Sequence, residues 1–188
     1  MKLAIPKERR PHERRVAATP DTVKKLISLG LDVIVEKNAG LMSSIPDSDY
    51  VSAGAKIAAD AAGVYKEADI IFKVQRPLHA AEGDIDEMAL IKPGAILIAI
   101  LSPLSDGATV DAYAKGNITS FAMEFMPRIT RAQSMDVLSS QSNLAGYRAV
   151  IDAAYEFSRA YPMMMTAAGT VAPAKILVMG TGVAGLQA

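Results

Sequence analysis

The chain has 188 residues, of which 20 are basic, 20 are acidic and none is cysteine. Its formal net charge of zero argues against a nucleic-acid-binding protein, because phosphate binding needs a basic surplus. The lack of cysteine excludes disulfides, thiolate metal sites and a cysteine nucleophile, and with only two histidines we expect no metal site. The length suits one domain, or one domain and a portion of a second.

Strand-like and helix-like segments alternate from the N-terminus onward. Residues 3–5 predict a strand. A helix then begins after Thr19, because the threonine side chain can cap it and Pro20 suits its first turn. Gly30 ends this helix, and residues 31–35 predict a second strand.

The alternation continues along the next portion of the chain. The run 95–101 is uniformly apolar, which is typical of a strand buried on both faces of a parallel sheet. It is far shorter than the roughly 20 residues that span a bilayer, so we expect a soluble chain. The overall pattern predicts an α/β fold with a parallel sheet. The predicted elements are helices at 46–51, 58–66 and 108–114, and strands at 69–74, 95–101 and 119–122.

One long helix is predicted next. Apolar side chains follow two of its faces, and Gly146 is the only glycine or proline before Pro162. A helix that is apolar on two sides can pack against two domains. We therefore predict an N-terminal domain at 1–133, an interdomain helix at 134–162, and the start of a second domain at 163–188.

A glycine motif lies near the end of the sequence. The run 175–179 predicts a strand, and it leads directly into a GxGxxG pattern. Such glycines permit a tight turn and a close approach of the backbone to a pyrophosphate, which favours dinucleotide binding. A glycine-rich turn without a ligand is the alternative. The candidate cofactor-binding residues are Gly180, Gly182, Val183, Ala184 and Gly185.

The sequence holds only the beginning of such a motif. Three residues follow Gly185, so the helix after the loop has little length. The acidic residue that would bind the ribose hydroxyls, expected roughly 20 positions further on, is not among these residues. We therefore expect a longer intact protein, and we expect this chain alone to bind a dinucleotide poorly and to be inactive.

A polar segment, residues 128–143, precedes the long helix. Asp136, Ser139 and Asn143 are spaced to share one helix face. The segment can be a helix N-terminus capped by Ser134, with its arginines paired on the surface. Alternatively, its polar side chains hydrogen-bond a nicotinamide carboxamide and its ribose.

A charged segment, residues 7–15, follows the first strand. It can be a solvated loop. Alternatively, Arg15 and Lys73 form a clamp for a substrate carboxylate, because a guanidinium and an ammonium group at neighbouring strand ends suit that anion.

Several of these segments together resemble the alanine dehydrogenase and transhydrogenase family. Within it, the resemblance is to the NAD(H)-binding component, the alpha subunit domain I, of proton-translocating NAD(P) transhydrogenases, and it covers essentially the whole chain. The segments that carry it are Ile5-Pro6-Lys7-Glu8, Arg15-Val16-Ala17, Lys73-Val74-Gln75-Arg76-Pro77, Met126-Pro127-Arg128, Arg131-Ala132-Gln133-Ser134-Met135-Asp136, Ser139-Ser140-Gln141-Ser142-Asn143 and Gly146-Tyr147-Arg148-Ala149-Val150.

The resemblance implies a Rossmann-like first domain, a second Rossmann domain that begins with the glycine motif, and a homodimer. It also implies that Arg128, Gln133, Asp136 and Ser139 hold the nicotinamide end of NAD(H), with Gln133 bridging toward the partner component. The implied reaction is hydride transfer from NADH to NADP+. NADP(H) would be bound by the partner component, and a membrane-spanning component would translocate protons. The implied location is the cytoplasm, peripheral to the inner membrane through these partners.

One departure separates the two branches of the family. Alanine dehydrogenases carry a catalytic histidine near the end of the strand that corresponds to residues 95–101, and no histidine occurs there in this sequence. Without an imidazole, no acid/base for oxidative deamination is evident. The sequence therefore favours a transhydrogenase. An alanine dehydrogenase-like enzyme and a non-catalytic dimerisation module are the alternatives.

Overall fold

The computed structural model describes residues 1–188, which form two compact units, Met1–Phe125 and Met126–Ala188. The first unit contains a six-stranded sheet in the order β3-β2-β1-β4-β5-β6, and all neighbouring strands are parallel. This is the α/β architecture with a parallel sheet that the alternating pattern predicts, and it is the Rossmann-like fold that the resemblance implies. Its strands are β1 (Lys2–Ile5), β2 (Asp32–Glu36), β3 (Lys56–Ala58), β4 (Ile70–Gln75), β5 (Ile96–Ile100) and β6 (Thr119–Ala122).

The helices of this unit follow the strands along the chain. Thr19 caps the first of them by accepting a hydrogen bond from the Thr22 backbone, and Pro20 is its first residue, as predicted. Gly30 follows the helix with a φ of +86°, a conformation that glycine adopts without strain. The helices are α1 (Pro20–Ser28), α2 (Asp47–Ser52), α3 (Ala61–Tyr65) and α4 (Gly107–Lys115), with 3₁₀ turns at Leu41–Ser43, Met88–Leu90 and Met123–Phe125.

The central strand β1 is buried on both faces of the sheet. Ala4 packs into one apolar cluster, with Ile71 and Leu97, whereas Leu3 and Ile5 pack into a second cluster on the opposite face. Side chains alternate between the faces of a strand, so three consecutive buried residues require cover on both sides. The sheet therefore leaves its strand ends, rather than its faces, for binding.

The second unit is built around a long helix, α5 (Val137–Glu156), which lies inside the predicted range 134–162. Asp136, not the predicted Ser134, caps it, because Ser134 lies within a preceding 3₁₀ segment, Thr130–Met135. The short helix α6 (Val183–Gln187) packs against α5. No helix in the structure combines the length and the apolarity that a membrane span requires.

Two local predictions are wrong, and one pair of strands was not predicted. Residues 58–66 do not form one helix, because Lys56–Ala58 pair with β2 as strand β3 and the helix starts only at Ala61. Residues 175–179 form no strand, since no neighbouring strand pairs with them. Two strands that the sequence did not predict, β7 (Met164–Thr166) and β8 (Gly169–Val171), form an antiparallel hairpin.

Candidate functional site

The predicted cofactor-binding residues lie together along one cleft of the second unit. The cleft has a volume of about 350 Å³. The glycine loop and the start of α6 form one side, and the start of α5 forms the other. The lining residues are Arg128, Leu138, Ser139, Ser142, Met179, Gly180, Gly182, Val183, Ala184 and Gly185.

The glycine loop closes tightly on itself. A Cβ atom at Gly185 would lie 2.1 Å from the carbonyl oxygen of Gly180, so a side chain at this position would force the loop open. Gly180 has a φ of +111°, which L-residues rarely adopt. A Cβ atom at Gly182 would instead meet no atom within 4 Å, so the loop backbone at Gly182 faces open space. This combination of a tight turn and an open, side-chain-free backbone fits the pyrophosphate of a dinucleotide.

Asp136 and Ser139 form one hydrogen-bonded pair at the start of α5. The Asp136 carboxylate accepts bonds from the Ser139 backbone N–H, at 3.0 Å, and from the Ser139 hydroxyl, at 2.6 Å. The hydroxyl bond, then the backbone bond, lowers the pKa of Asp136, and the positive charge of Arg128 lowers it further. The pair orients the Ser139 side chain, which lines the cleft.

Gln133 lies outside the lining of this cleft. It belongs to the 3₁₀ segment before α5, and its side chain is exposed. Its backbone carbonyl accepts a bond from the Asp136 N–H at 3.3 Å. Its contact with a partner component stays a prediction.

Sequence reasoning missed three of the lining residues, Leu138, Ser142 and Met179. Ser142 follows Ser139 by three positions on α5, and residues three apart share a helix face, so that spacing could have identified it. Met179 immediately precedes the glycine loop. Nothing in the sequence distinguishes Leu138 from other apolar residues of the helix.

The first unit carries a second polar site, at the carboxyl ends of β1 and β4. Strand order reverses there, and ligands of doubly wound sheets commonly bind at such a point. In this chain the position is filled by charged side chains. The Lys73 ammonium lies 3.1 Å from the Glu87 carboxylate and 3.4 Å from that of Glu8, and all three side chains are almost fully buried.

Further bonds saturate this buried cluster. Glu87 also accepts bonds from the Tyr65 hydroxyl, at 3.1 Å, and from the Leu78 backbone N–H, at 2.8 Å. Burial, and then the charge of Glu87, raises the pKa of Tyr65 well above its ordinary value. Burial likewise raises the pKa of Glu8, although the charge of Lys73 opposes that rise. The Arg9 guanidinium lies 3.3 Å from the Glu87 carboxylate, and it also pairs with the Glu36 carboxylate next to the cluster.

Arg15, the other half of the predicted carboxylate clamp, also has an internal partner. Its guanidinium binds the Glu13 carboxylate through two nitrogens, at 2.8 and 2.7 Å, and Gln75 donates to the same carboxylate at 2.6 Å. The Arg15 bond is the largest cause that lowers the pKa of Glu13, to about 2. Both cations of the predicted clamp are therefore already neutralised by carboxylates of the protein itself.

The end of strand β5 provides no acid/base group of the alanine dehydrogenase kind. The backbone N–H groups of Leu101 and Ser102 donate there to the Glu124 carboxylate. His79 lies in a different loop, where its ring Nε2 is 2.8 Å from the Thr109 hydroxyl.

Comparison with known families gives matches along nearly the whole chain. The model of the alanine dehydrogenase/PNT N-terminal domain matches residues 4–145, and that of the alanine dehydrogenase/PNT C-terminal domain matches residues 149–188.

Individual relatives cover the full chain. An NAD(P) transhydrogenase alpha subunit from Rhodospirillum rubrum is 63% identical over 188 residues, which are 100% of this chain and 49% of that protein. An alanine dehydrogenase from Halomonas elongata is 32% identical over 192 residues, with the same coverage. The crystal structure of a transhydrogenase from Sinorhizobium meliloti superposes with a TM-score of 0.93 at 58% identity, covering 100% of this chain and 54% of that one. The chain thus spans about half the length of the curated relatives that it matches.

Proposed function

The chain belongs to the alanine dehydrogenase/PNT family, and we propose that it forms the first half of the NAD(H)-binding component of a proton-translocating transhydrogenase. The observation that carries this proposal is the cleft of the second unit. It brings the glycine loop together with Arg128 and the Asp136–Ser139 pair. The names of the more similar relatives support the same activity.

The residues of the cleft have separate tasks in this proposal. The backbone of the glycine loop binds the pyrophosphate of NAD(H), because no side chain at Gly182 obstructs it. Arg128 and Ser139 hold the nicotinamide end, and Asp136 fixes the orientation of Ser139. The nicotinamide ring supplies the hydride, whereas the protein supplies position and electrostatics.

The partners follow from the family rather than from this chain alone. We propose that the component is a homodimer. It donates the hydride to NADP+ on a second, NADP(H)-binding component, and a membrane-spanning component translocates protons. Gln133, exposed before α5, would reach toward the NADP(H) component. The complex would lie on the cytoplasmic side of the inner membrane.

An alanine dehydrogenase is the second candidate, because a relative of that name is 32% identical. Two observations weigh against it. No imidazole lies at the end of β5, and Lys73 and Arg15 are each held by internal carboxylates. A substrate carboxylate would have to displace these partners.

The two functions are separated by one set of assays on the full-length protein that contains this chain. With the NADP(H)-binding component present, we expect NADH to reduce an NADP+ analogue. Alanine should not support reduction of NAD+. Failure of hydride transfer with both components present would contradict the proposal, and alanine-dependent NAD+ reduction would establish the second candidate.

Gln133 provides a sharper test of the proposed geometry. We expect Gln133→Asn to slow hydride transfer while NADH affinity stays nearly unchanged, because the shortened side chain alters the position of the rings and not the anchoring of the dinucleotide. Single-turnover kinetics and NADH titration measure the two quantities separately. Parallel losses in rate and affinity would argue against this role.

A further inference from the structure

Gly146 marks the place where α6 rests on α5. It is the only buried residue of α5, although the helix is 20 residues long. A Cβ atom at Gly146 would lie 2.1 Å from the carbonyl oxygen of Ala184, 2.9 Å from its carbonyl carbon and 3.0 Å from its Cα atom. These are backbone atoms of α6, so they cannot move aside as the end of a flexible side chain could. The absence of a side chain at Gly146 is what permits this approach.

A second contact lies one helical turn away. The Asn143 side-chain amide donates a hydrogen bond to the Gln187 side-chain oxygen at 3.0 Å. Asn143 and Gly146 are three residues apart on α5, and Ala184 and Gln187 are three residues apart on α6. Residues with this spacing lie on the same face of a helix. The two helices therefore meet at two successive points, which fixes α6 in both translation and rotation.

These two contacts set the width of the cleft. Ser139 and Ser142 lie on α5 and form one side of it, whereas Ala184 and Gly185 lie on α6 and form the other. A change in the spacing of the helices therefore moves the glycine loop relative to the serine side chains. We propose that Gly146 is a positioning residue for the dinucleotide, acting through α6. This inference rests on the proposed function, since it names the residue that keeps the two sides of the proposed NAD(H) site at the correct distance.

The substitution Gly146→Ala separates positioning from helix stability. Alanine favours helix more than glycine does, so α5 itself should be no less stable. The added carbon must, however, move away from Ala184 by more than about 1 Å to reach ordinary contact. A displacement of that size can cost up to about a hundredfold in a reaction that depends on position.

The experiment uses the full-length protein and two measurements. In hydrogen exchange without nucleotide, we expect Gly146→Ala to speed exchange in residues 180–187, whereas exchange in the first unit stays unchanged. In titrations with NADH, we expect a Kd about tenfold higher, because a loop displaced by about 1 Å loses hydrogen bonds to the pyrophosphate. Gly107→Ala, at the start of α4, is the matched control, because a Cβ atom there would meet nothing within 4 Å. It should alter neither quantity.

A second pair of variants guards against a folding defect in Gly146→Ala. Asn143 and Gln187 are both exposed, so their truncation should leave the fold intact. We expect Asn143→Ala and Gln187→Ala each to weaken NADH binding by about two- to tenfold, and the double variant to lose no more than either single one. Wild-type affinity in Gly146→Ala, or additive losses in the double variant, would overturn the inference alone. A parent protein that binds no NADH would overturn the proposed function, and the inference with it.

Discussion

Lys73 shows how a residue type that suggests a ligand can have a structural role. An ammonium group in a buried site is costly unless it is paired, and Lys73 is paired with both Glu8 and Glu87. Each carboxylate also accepts a backbone N–H bond, from Val74 and Leu78 respectively. The three side chains thereby join the ends of β1 and β4 to the loop that follows β4. This arrangement accounts for Lys73 without any substrate.

Removing this ammonium group should destabilise the protein strongly. Lys73→Met leaves the buried Glu8 without a cation and Glu87 with Arg9 alone. Breaking a buried pair in this way costs about 3 to 5 kcal/mol. Urea unfolding at pH 7 measures the loss. Lys56→Met, which breaks the exposed pair with Asp32, is the control and should cost at most about 1 kcal/mol. Equal losses in the two variants would contradict the structural role of Lys73.

The loss in Lys73→Met should depend on pH. Burial raises the pKa of Glu8 above its ordinary value of 4.5, and removing Lys73 raises it further. Above pH 4.5 the native protein then binds more protons than the unfolded chain, so the stability that Glu8 contributes is lost as the pH rises through its native pKa. The deficit of Lys73→Met relative to the parent should therefore shrink between pH 7 and about pH 4.5. Unfolding midpoints at several pH values test this, and a constant deficit would argue against it.

At the scale of the element, the sequence predicts a strand when the strand's own residues show that it is buried. Residues 95–101 are an example, because their uniformly apolar run contains strand β5, in which Leu97 and Ala99 are fully buried. Lys56–Ala58 is too short and too polar at its start to be recognised, and only pairing with β2 makes it a strand. Residues 175–179 are the reverse case, since their apolar run is strand-like but no neighbour pairs with it. Strand pairing depends on segments that are distant in the sequence, so a local pattern cannot predict it.

The start of α5 combines a structural and a proposed functional task in one carboxylate. Asp136→Asn keeps a good helix cap, whereas Asp136→Ala removes both bonds to Ser139. We expect the alanine variant to lose helix content at the N-terminus of α5, and to slow hydride transfer by up to about a hundredfold if Ser139 loses its orientation. The asparagine variant should retain most of the helix content and most of the rate of hydride transfer. Circular dichroism and single-turnover rates provide the measurements, and equal behaviour of the two variants would contradict the capping role.

At the scale of the whole molecule, the two units have different roles in the proposed function. The first is an open, six-stranded parallel sheet in which the buried charged groups Lys73, Glu8 and Glu87 are paired with one another. The second holds the glycine loop and the side of the cleft that we propose for the nicotinamide.

Of the four side chains that the resemblance predicts at the nicotinamide, Arg128 and Ser139 line the cleft with the glycine loop, whereas Gln133 lies outside it. Their contact with the nicotinamide stays a prediction. The resemblance could not predict the Gly146 contact, which depends on the distance between two helices.

Because the chain spans about half the length of the relatives that it matches, we expect it to bind NADH much more weakly than the full-length protein. Calorimetric titration of both forms with NADH measures this difference. We expect no detectable heat of binding for the shorter form and saturable binding for the longer. Equal affinities would show that the cleft within residues 126–188 is sufficient.

The order of strands in the first unit also bears on how it can form during synthesis. Strand β1 emerges first and lies at the centre, β2 and β3 then extend the sheet on one side, and β4, β5 and β6 extend it on the other. Each new strand is thus added to an edge that is already free, and none has to be inserted between two strands that have already paired. During synthesis the sheet can therefore grow from its central strand toward both edges. Each partly synthesised form is a smaller parallel sheet.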